Sequence, residues 1–294
     1  MGYTGHMKTL REYIADAEAR HTAIGHFNFS NLEALHAIFA AARELSLPVI
    51  AAVSEGEEDF VGTNEAVALV KALRNTYDYP IFLDADHHYS FERVKRAVDA
   101  GFDAVIIDGA QLPFEKNVAL AKQCVAYARD VMKQTGRDIL VEGELGFIGV
   151  GSSVKDTIPE GAVLTTDPAL AAQFVRETGV DLLAPAVGSV HGLIRSGKPH
   201  VNAGLVQEIR AAAGVPLVLH GGSGLTDEDF RGGIEAGISI VHINTELRLA
   251  DRNAVEKSLK ENPNEVAPYK FLASSVEDMT HLIKERMKLF AGIA

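Results

Sequence analysis

The sequence predicts a (β/α)8 barrel, and three observations carry that prediction. Eight short apolar runs recur along the 294 residues. Each run is continuously apolar rather than alternating, as parallel strands covered on both faces are. Segments of helical periodicity fall between the runs, and eight such units make a barrel of ordinary size. A doubly wound open sheet is the runner-up. It would carry a glycine-rich dinucleotide turn after its first strand, and "GHFNFSNLE" has none.

The elements follow in order. "MGYTGHM" reads as a cloning leader ahead of a natural start at Met7, so residues 1–6 are set aside and 7–294 are taken as a single barrel domain. The first strand is "AIGHFNF" (23–29), followed by the helix "NLEALHAIFAAAREL". "PVIAAVS" (48–54) and "NEAVALVKALRNTY" make the second unit, and "IFLDADH" (81–87) and "FERVKRAVDAG" the third. "AVIIDGA" (104–110) leads into "NVALAKQCVAYARDVM", and "DILVEGELG" (138–146) precedes "DPALAAQFVRETG". "LLAPAVGS" (182–189) with "AGLVQEIRAAAG", "PLVLHGGS" (216–223) with "TDEDFRGGIEAG", and "SIVHINTE" (239–246) complete the set. An additional helix, "FLASSVEDMTHLIKERMKLF", closes the chain. Several helices start at Asn, Ser, Thr or Asp and stop at Gly, as helix ends prefer. No linker, repeat array or low-complexity tract divides the chain.

Composition narrows the partners. A formal net charge of −12 argues against nucleic acid or an anionic membrane. No apolar run approaches the roughly 20 residues of a membrane helix. Cys124 is the single cysteine, which forbids an intrachain disulfide and suits a cytoplasmic setting. Its helical apolar surroundings predict a packed core thiol rather than a nucleophile.

The chemistry collects at the C-terminal ends of the strands, where barrels of this class keep their active sites. There stand Asp86, His87 and His88, then Asp108, Glu142 and Glu144, then His191, His220 and His242. A lone histidine at a strand end is usually a hydrogen-bonded structural residue. Of the 11 histidines, five gather at this one rim, and neutral imidazoles on separate strands are the donor set of a catalytic zinc or similar site. "HGGSGL" (220–225) adds backbone N–H groups from Gly221, Gly222 and Gly224 and the Ser223 hydroxyl, ahead of a helix starting near Thr226. That is an anion cradle, with Asn244 and Thr245 as further donors. A Lewis acid, a phosphate grip and the neighbouring Asp86 carboxylate together suit aldol chemistry on a phosphorylated ketose.

These residues resemble the class II, metal-dependent fructose-bisphosphate and tagatose-bisphosphate aldolases over almost the full length. The matching pieces include "DHHYSFE", "AGFDAVIIDGAQLPFEKN", "VEGELGFIG", "AVGSVHGL", "PLVLHGGSGL" and "INTELR". The resemblance implies a zinc-dependent (or other divalent-metal) barrel that cleaves a ketose 1,6-bisphosphate to dihydroxyacetone phosphate and glyceraldehyde 3-phosphate. It implies His87, His191 and His220 as metal ligands and Asp86 as the residue exchanging the proton of the C4 oxygen. Asp108 and Glu144 are similar to the carboxylates of an auxiliary position for a second metal or a monovalent cation. Gly192, Gly221, Ser223 and Thr245 correspond to triose-phosphate contacts, with Asn244 beside them, and Arg195 stands where some members place a phosphate-binding lysine. A cytoplasmic homodimer or homotetramer is implied too.

Three departures matter. His242 replaces the family's Asn, so it is either a new substrate contact or an alternative metal ligand. The loop "GVGSSVKDTIPEG" leaves Asp156 and Glu160 as candidates for the base that removes the α-proton. His88 replaces a small residue, and its simplest reading is a solvent-facing side chain. "ENPNEVAPYKFL" offers no match for a second phosphate site, so the C4 epimer and the bisphosphate character of the substrate stay open. Competing readings are a Schiff-base aldolase, which lacks a strand lysine, a metal-dependent hydrolase or epimerase, an aldolase with a changed donor or a non-bisphosphate substrate, and a non-catalytic sugar-phosphate-binding relative.

Overall fold

A computed structural model describes residues 7–149, 151–158 and 165–293. The cloning-leader reading (residues 1–6) and Glu160 lie outside these residues. The strands, in chain order, are β1 (Ile24–Asn28), β2 (Val49–Ser54), β3 (Ile81–His88), β4 (Ala104–Ile107), β5 (Leu140–Leu145), β6 (Val154–Thr157), β7 (Leu182–Pro185), β8 (Leu193–Ser196), β9 (Leu217–Leu219) and β10 (Ile238–Ile243). Eight of them close a barrel in the order β1-β10-β9-β7-β5-β4-β3-β2, and β6 pairs with β8 outside it. The pairings are parallel throughout, so the predicted barrel and its eight strands stand.

Local chemistry sets the helix boundaries. Asn31, Ser90, Asp167 and Asn202 accept backbone N–H bonds at the starts of helices 32–45, 91–100, 168–178 and 203–213. Gly179 and Gly214 close two of these helices in the left-handed conformation that only glycine adopts without strain. The outward strand faces bury Phe27, Leu35, Ile38, Val94, Phe102, Phe174 and Phe230 between sheet and helices. Cys124 sits in this layer fully buried, and burial pushes its thiol pKa up to about 12.

Three helices and a pair of strands go beyond the sequence prediction. A helix, Leu10–Ala19, precedes β1 and plugs the barrel floor with Leu10, Ile14 and Ala17 against Ile24, Ile50, Phe82, Leu140 and Val218. A short helix, Glu55–Val61, starts directly at the end of β2. Helix Thr245–Glu261 follows β10 at once and is the eighth barrel helix, so Ala273–Phe290 is additional to it. The β6–β8 pair joins the loops after β5 and β7, whose polar, glycine-rich composition carries no strand signal.

Candidate active site

Strand β3 shows how one strand delivers Asp86 and His87 to the same place. Consecutive strand residues face opposite sides. The β3–β4 register, however, passes from Ala85↔Val105 to His88↔Ile107, which inserts one extra residue in β3. His87 sits in that bulge with φ +48°, a left-handed conformation costly for a non-glycine residue. Asp84 and Asp86 keep the inward face, and the bulge turns His87 back over the barrel mouth. His88 then falls on the outer side. It is fully buried, with Nε2 3.0 Å from Glu58 Oε2, so the solvent-facing reading is corrected. The partner came from the unforeseen helix 55–61.

Donor atoms of His87, His191 and His220 lie within 4.8 Å of one another, as a metal site requires. His87 Nε2 and His220 Nδ1 are 2.9 Å apart. Each ring's other nitrogen is held: His87 Nδ1 lies 3.1 Å from Asp108 Oδ2, His220 Nε2 lies 2.7 Å from Glu142 Oε1, and His191 Nδ1 donates to Gly149 O at 2.8 Å. Such outer partners fix tautomer and ring orientation. Burial, then neighbouring His87, lowers the His191 pKa to about 4, while burial and His242 hold His220 well below its usual value. Both rings are therefore neutral donors, and the set fits a divalent cation. Burial opposes charge on His87, but Asp86, Glu144 and Asp108 override it and raise its pKa. That cluster of carboxylates is the electrostatic signature of a place meant for positive charge. Glu144 lies 3.2 Å from His87 Nδ1. Burial, then Asp108, raises the Glu144 pKa to about 7. His87, Asp108 and Glu144 form a second group able to hold a cation.

Asp86 accepts from Asn28 Nδ2 at 2.7 Å through Oδ2, while its buried Oδ1 has no hydrogen-bond partner among the described residues. Burial disfavours its charge, but His87 and then His242 hold its pKa well below the carboxylate range. His242 Nδ1 is 3.5 Å from Asp86 Oδ1, and its ring stacks on His26 at 3.4 Å and 4°. His26 is anchored by Asp84 at 3.0 Å. Burial, then His26, lowers the His242 pKa to about 3.

One cavity of about 250 Å³ gathers Asp86, His87, His191, Gly192, His220, Gly221, Gly222, Ser223, His242, Asn244 and Thr245, all predicted from sequence. A side chain at Gly221 would meet the Val190 backbone at 2.6 Å, and one at Gly222 would meet His242 O at 2.8 Å. Only bare backbone fits there. The helix opening onto this cradle is Thr245–Glu261, not the one near Thr226. The latter start is satisfied by Asp229, which bonds Thr226 N–H at 3.1 Å and Thr226 Oγ1 at 2.8 Å, and its first turn carries Asp227, Glu228 and Asp229. Gly224 N–H is likewise engaged by Glu246 at 2.7 Å. Arg195 and Asp156 face each other at 3.2 Å across β8 and β6, both exposed and outside the cavity lining. Sequence reading missed Asn28, Ser54, Glu55, Tyr89 and Arg248, which also line the cavity. Asn28 carried a usable signal, since "GHFN" is polar at every second position.

A closed parallel barrel is a fold whose rim commonly carries enzyme chemistry, and donors able to hold a metal beside a carboxylate and a glycine-rich turn suit the class of metal-assisted lyases. Known proteins narrow that class. The family model "Fructose-bisphosphate aldolase class-II" matches residues 8–293, and the chain belongs to this family. It is 38% identical to a fructose-bisphosphate aldolase of Geobacillus stearothermophilus over 287 residues, 97% of this chain and 96% of that one. It is 36% identical to a Staphylococcus epidermidis fructose-bisphosphate aldolase over 285 residues, 96% of each chain. The structure of the YdjI aldolase of Escherichia coli K12 superposes with a TM-score of 0.81 at 31% identity, covering 97% of both chains.

Proposed function

We propose that this protein reversibly cleaves a phosphorylated ketose to dihydroxyacetone phosphate and an aldehyde, with zinc held by His87, His191 and His220. Fructose 1,6-bisphosphate and tagatose 1,6-bisphosphate are the family's reference ketoses. The observation that carries the reading is the trio's orientation: each ring is fixed by a partner on one nitrogen, and the rings converge beside the unpartnered Asp86 Oδ1. A bound divalent cation would polarise the ketone carbonyl and stabilise negative charge on its oxygen. Ser223, Asn244, Thr245 and the Gly221–Gly222 backbone hold the phosphate at the donor end.

In cleavage, Asp86 Oδ1 takes the C4 hydroxyl proton and the C3–C4 electron pair passes to the departing enediolate, releasing the aldehyde. Asn28 keeps Asp86 oriented through its other oxygen. A loop carboxylate, Asp156 or Glu160, then returns a proton to carbon. Asp156 engages Arg195 in this structure, so its use requires that pair to open. Among the described residues no lysine lines the cavity, which leaves a Schiff-base mechanism without its nucleophile. Asp108 and Glu144 are the candidate seat for a second metal or monovalent cation. A cytoplasmic homodimer or homotetramer completes the proposal; among the described residues no helix is long and apolar enough to cross a membrane.

The test is hydrogen exchange of dihydroxyacetone phosphate in deuterated buffer, as purified, after chelation and with Zn²⁺ restored. Exchange that stops on chelation and returns with zinc is the expected result. No exchange in zinc-loaded protein would overturn the donor assignment.

A further inference from the structure

The cavity lining holds two sets of donors, and they meet charge differently. Strands β9 and β10 supply the cradle of Gly221, Gly222, Ser223, Asn244 and Thr245, and no carboxylate lines the cavity among them. The second set, Asn28, Ser54 and Arg248, comes from β1, β2 and the helix after β10. These are the donors an anionic substrate group would use there. All three are already engaged by a single buried carboxylate behind the wall, that of Glu57. Glu57 Oε2 accepts from Asn28 Nδ2, Ser54 N and Ser54 Oγ, each at 2.8 Å, and Glu57 Oε1 accepts from Arg248 Nη2 at 2.5 Å. The Arg248 Nη1 group donates to Ser152 O at 3.2 Å. The second Asn28 amide proton goes to Asp86.

We infer that Glu57 fills the second anion position of the cavity with the protein's own carboxylate, so that the aldehyde taken here is an uncharged hydroxyaldehyde and the ketose carries phosphate at the donor end only. The inference rests on the aldolase reading and narrows its substrate. A plainer role for Glu57 exists, as the third helical residue capping Ser54 N–H at the start of helix 55–61. That role accounts for the Ser54 contacts. It does not call for an amide from β1 or a guanidinium from the helix after β10, and those two are what complete the anion's coordination.

The remaining surroundings agree. Glu55 lines the same cavity and accepts from Tyr89 N–H at 3.0 Å, with Arg93 Nε no closer than 3.9 Å. Asp86 stands beside it with Oδ1 unpartnered. Among the described lining residues an incoming phosphate would meet one lysine or arginine, Arg248, against the carboxylates of Glu55, Glu57 and Asp86, and like charges brought together out of water repel strongly. Hydroxyl groups meet the opposite situation. Carboxylates accept O–H bonds, and a wall rich in acceptors with its donors engaged selects a polyol chain.

The experiment measures aldol addition of dihydroxyacetone phosphate to D-glyceraldehyde and to D-glyceraldehyde 3-phosphate with zinc-loaded enzyme, alongside donor exchange in deuterated buffer. The wild type is expected to favour glyceraldehyde in kcat/KM by about tenfold or more. Glu57→Gln keeps the cap and the volume but frees Arg248, and should move that ratio toward the phosphorylated aldehyde by about tenfold. Thermal melting of the variant separates a folding defect from a change of preference, and the wild-type ratio stands whatever the variant does. Donor exchange with a wild-type preference for the phosphorylated aldehyde would overturn the inference while sparing the aldolase reading. Absence of both exchange and addition would overturn the two together. A Glu57→Gln ratio equal to that of a phosphate-rejecting wild type would remove Glu57 as the cause.

Discussion

Two layers of the barrel interior, one pleat repeat apart, have opposite chemistry. Ile24, Ile50, Phe82, Leu140, Leu182, Val218 and Ile240 form an apolar floor, closed by the N-terminal helix. Two residues further along the same strands stand His26, Asp84, Glu142, His220 and His242, also buried. Because inward-facing residues recur every second position, stability and reactivity occupy alternate rungs of one ladder. The lower rung gains from removing apolar surface from water. The upper rung tolerates buried polar groups by pairing them between strands, as Asp84 pairs with His26 and Glu142 with His220.

That contrast can be broken or sharpened by substitution. The largest effect is expected from His220→Ala, which should abolish both bound metal and turnover, read by elemental analysis and cleavage assay. Metal retained at full stoichiometry would remove His220 from the ligand set. Asp86→Asn should keep the metal and lower kcat by about 10²–10⁴, the usual range for a proton-transfer group. Metal loss in that variant would undo the division of roles. On the floor, Phe82→Ala should leave metal content intact and destabilise the fold by about 3–5 kcal/mol, measured by denaturant titration. A loss of metal there would show that the rungs are not separable.

The smallest effect concerns pH. Glu144 in the metal-free protein titrates near pH 7, above its ordinary 4.5. The folded state therefore holds a proton that the unfolded state has released, so stability present below pH 4.5 is lost as pH rises towards 7. The full loss is about 3 kcal/mol. Denaturant midpoints of chelated protein at pH 5 and pH 8 should show this decline, and Glu144→Gln should flatten it. An unchanged slope in the variant would assign the decline to another group.

Much of this was legible in the sequence, for reasons tied to particular residues. Continuous apolar runs mark strands covered on both faces, so the eight barrel strands were readable. The rim histidines were readable because they end those runs. Helix 55–61 was hidden because "EGEEDF" is acidic and glycine-containing, with no apolar stripe; its stability comes from Glu57 and Glu58 reaching distant partners. Arg248 looked like one more charge on a surface helix, and only the closure of β10 against β1 brings it to the cavity. The His87 bulge depends on a register shift that no local pattern encodes.

The small β6–β8 pairing has a practical consequence for anyone recombining loops between barrels. His191 N–H bonds Ile148 O at 2.9 Å, Leu193 N–H bonds Ser153 O at 3.0 Å, and Lys155 Nζ reaches His191 O at 2.7 Å. The segment that follows β5 thus splints the backbone of a proposed metal ligand carried by the segment after β7. The two behave as one cassette: a graft that exchanges either without its partner would leave His191 held by foreign hands.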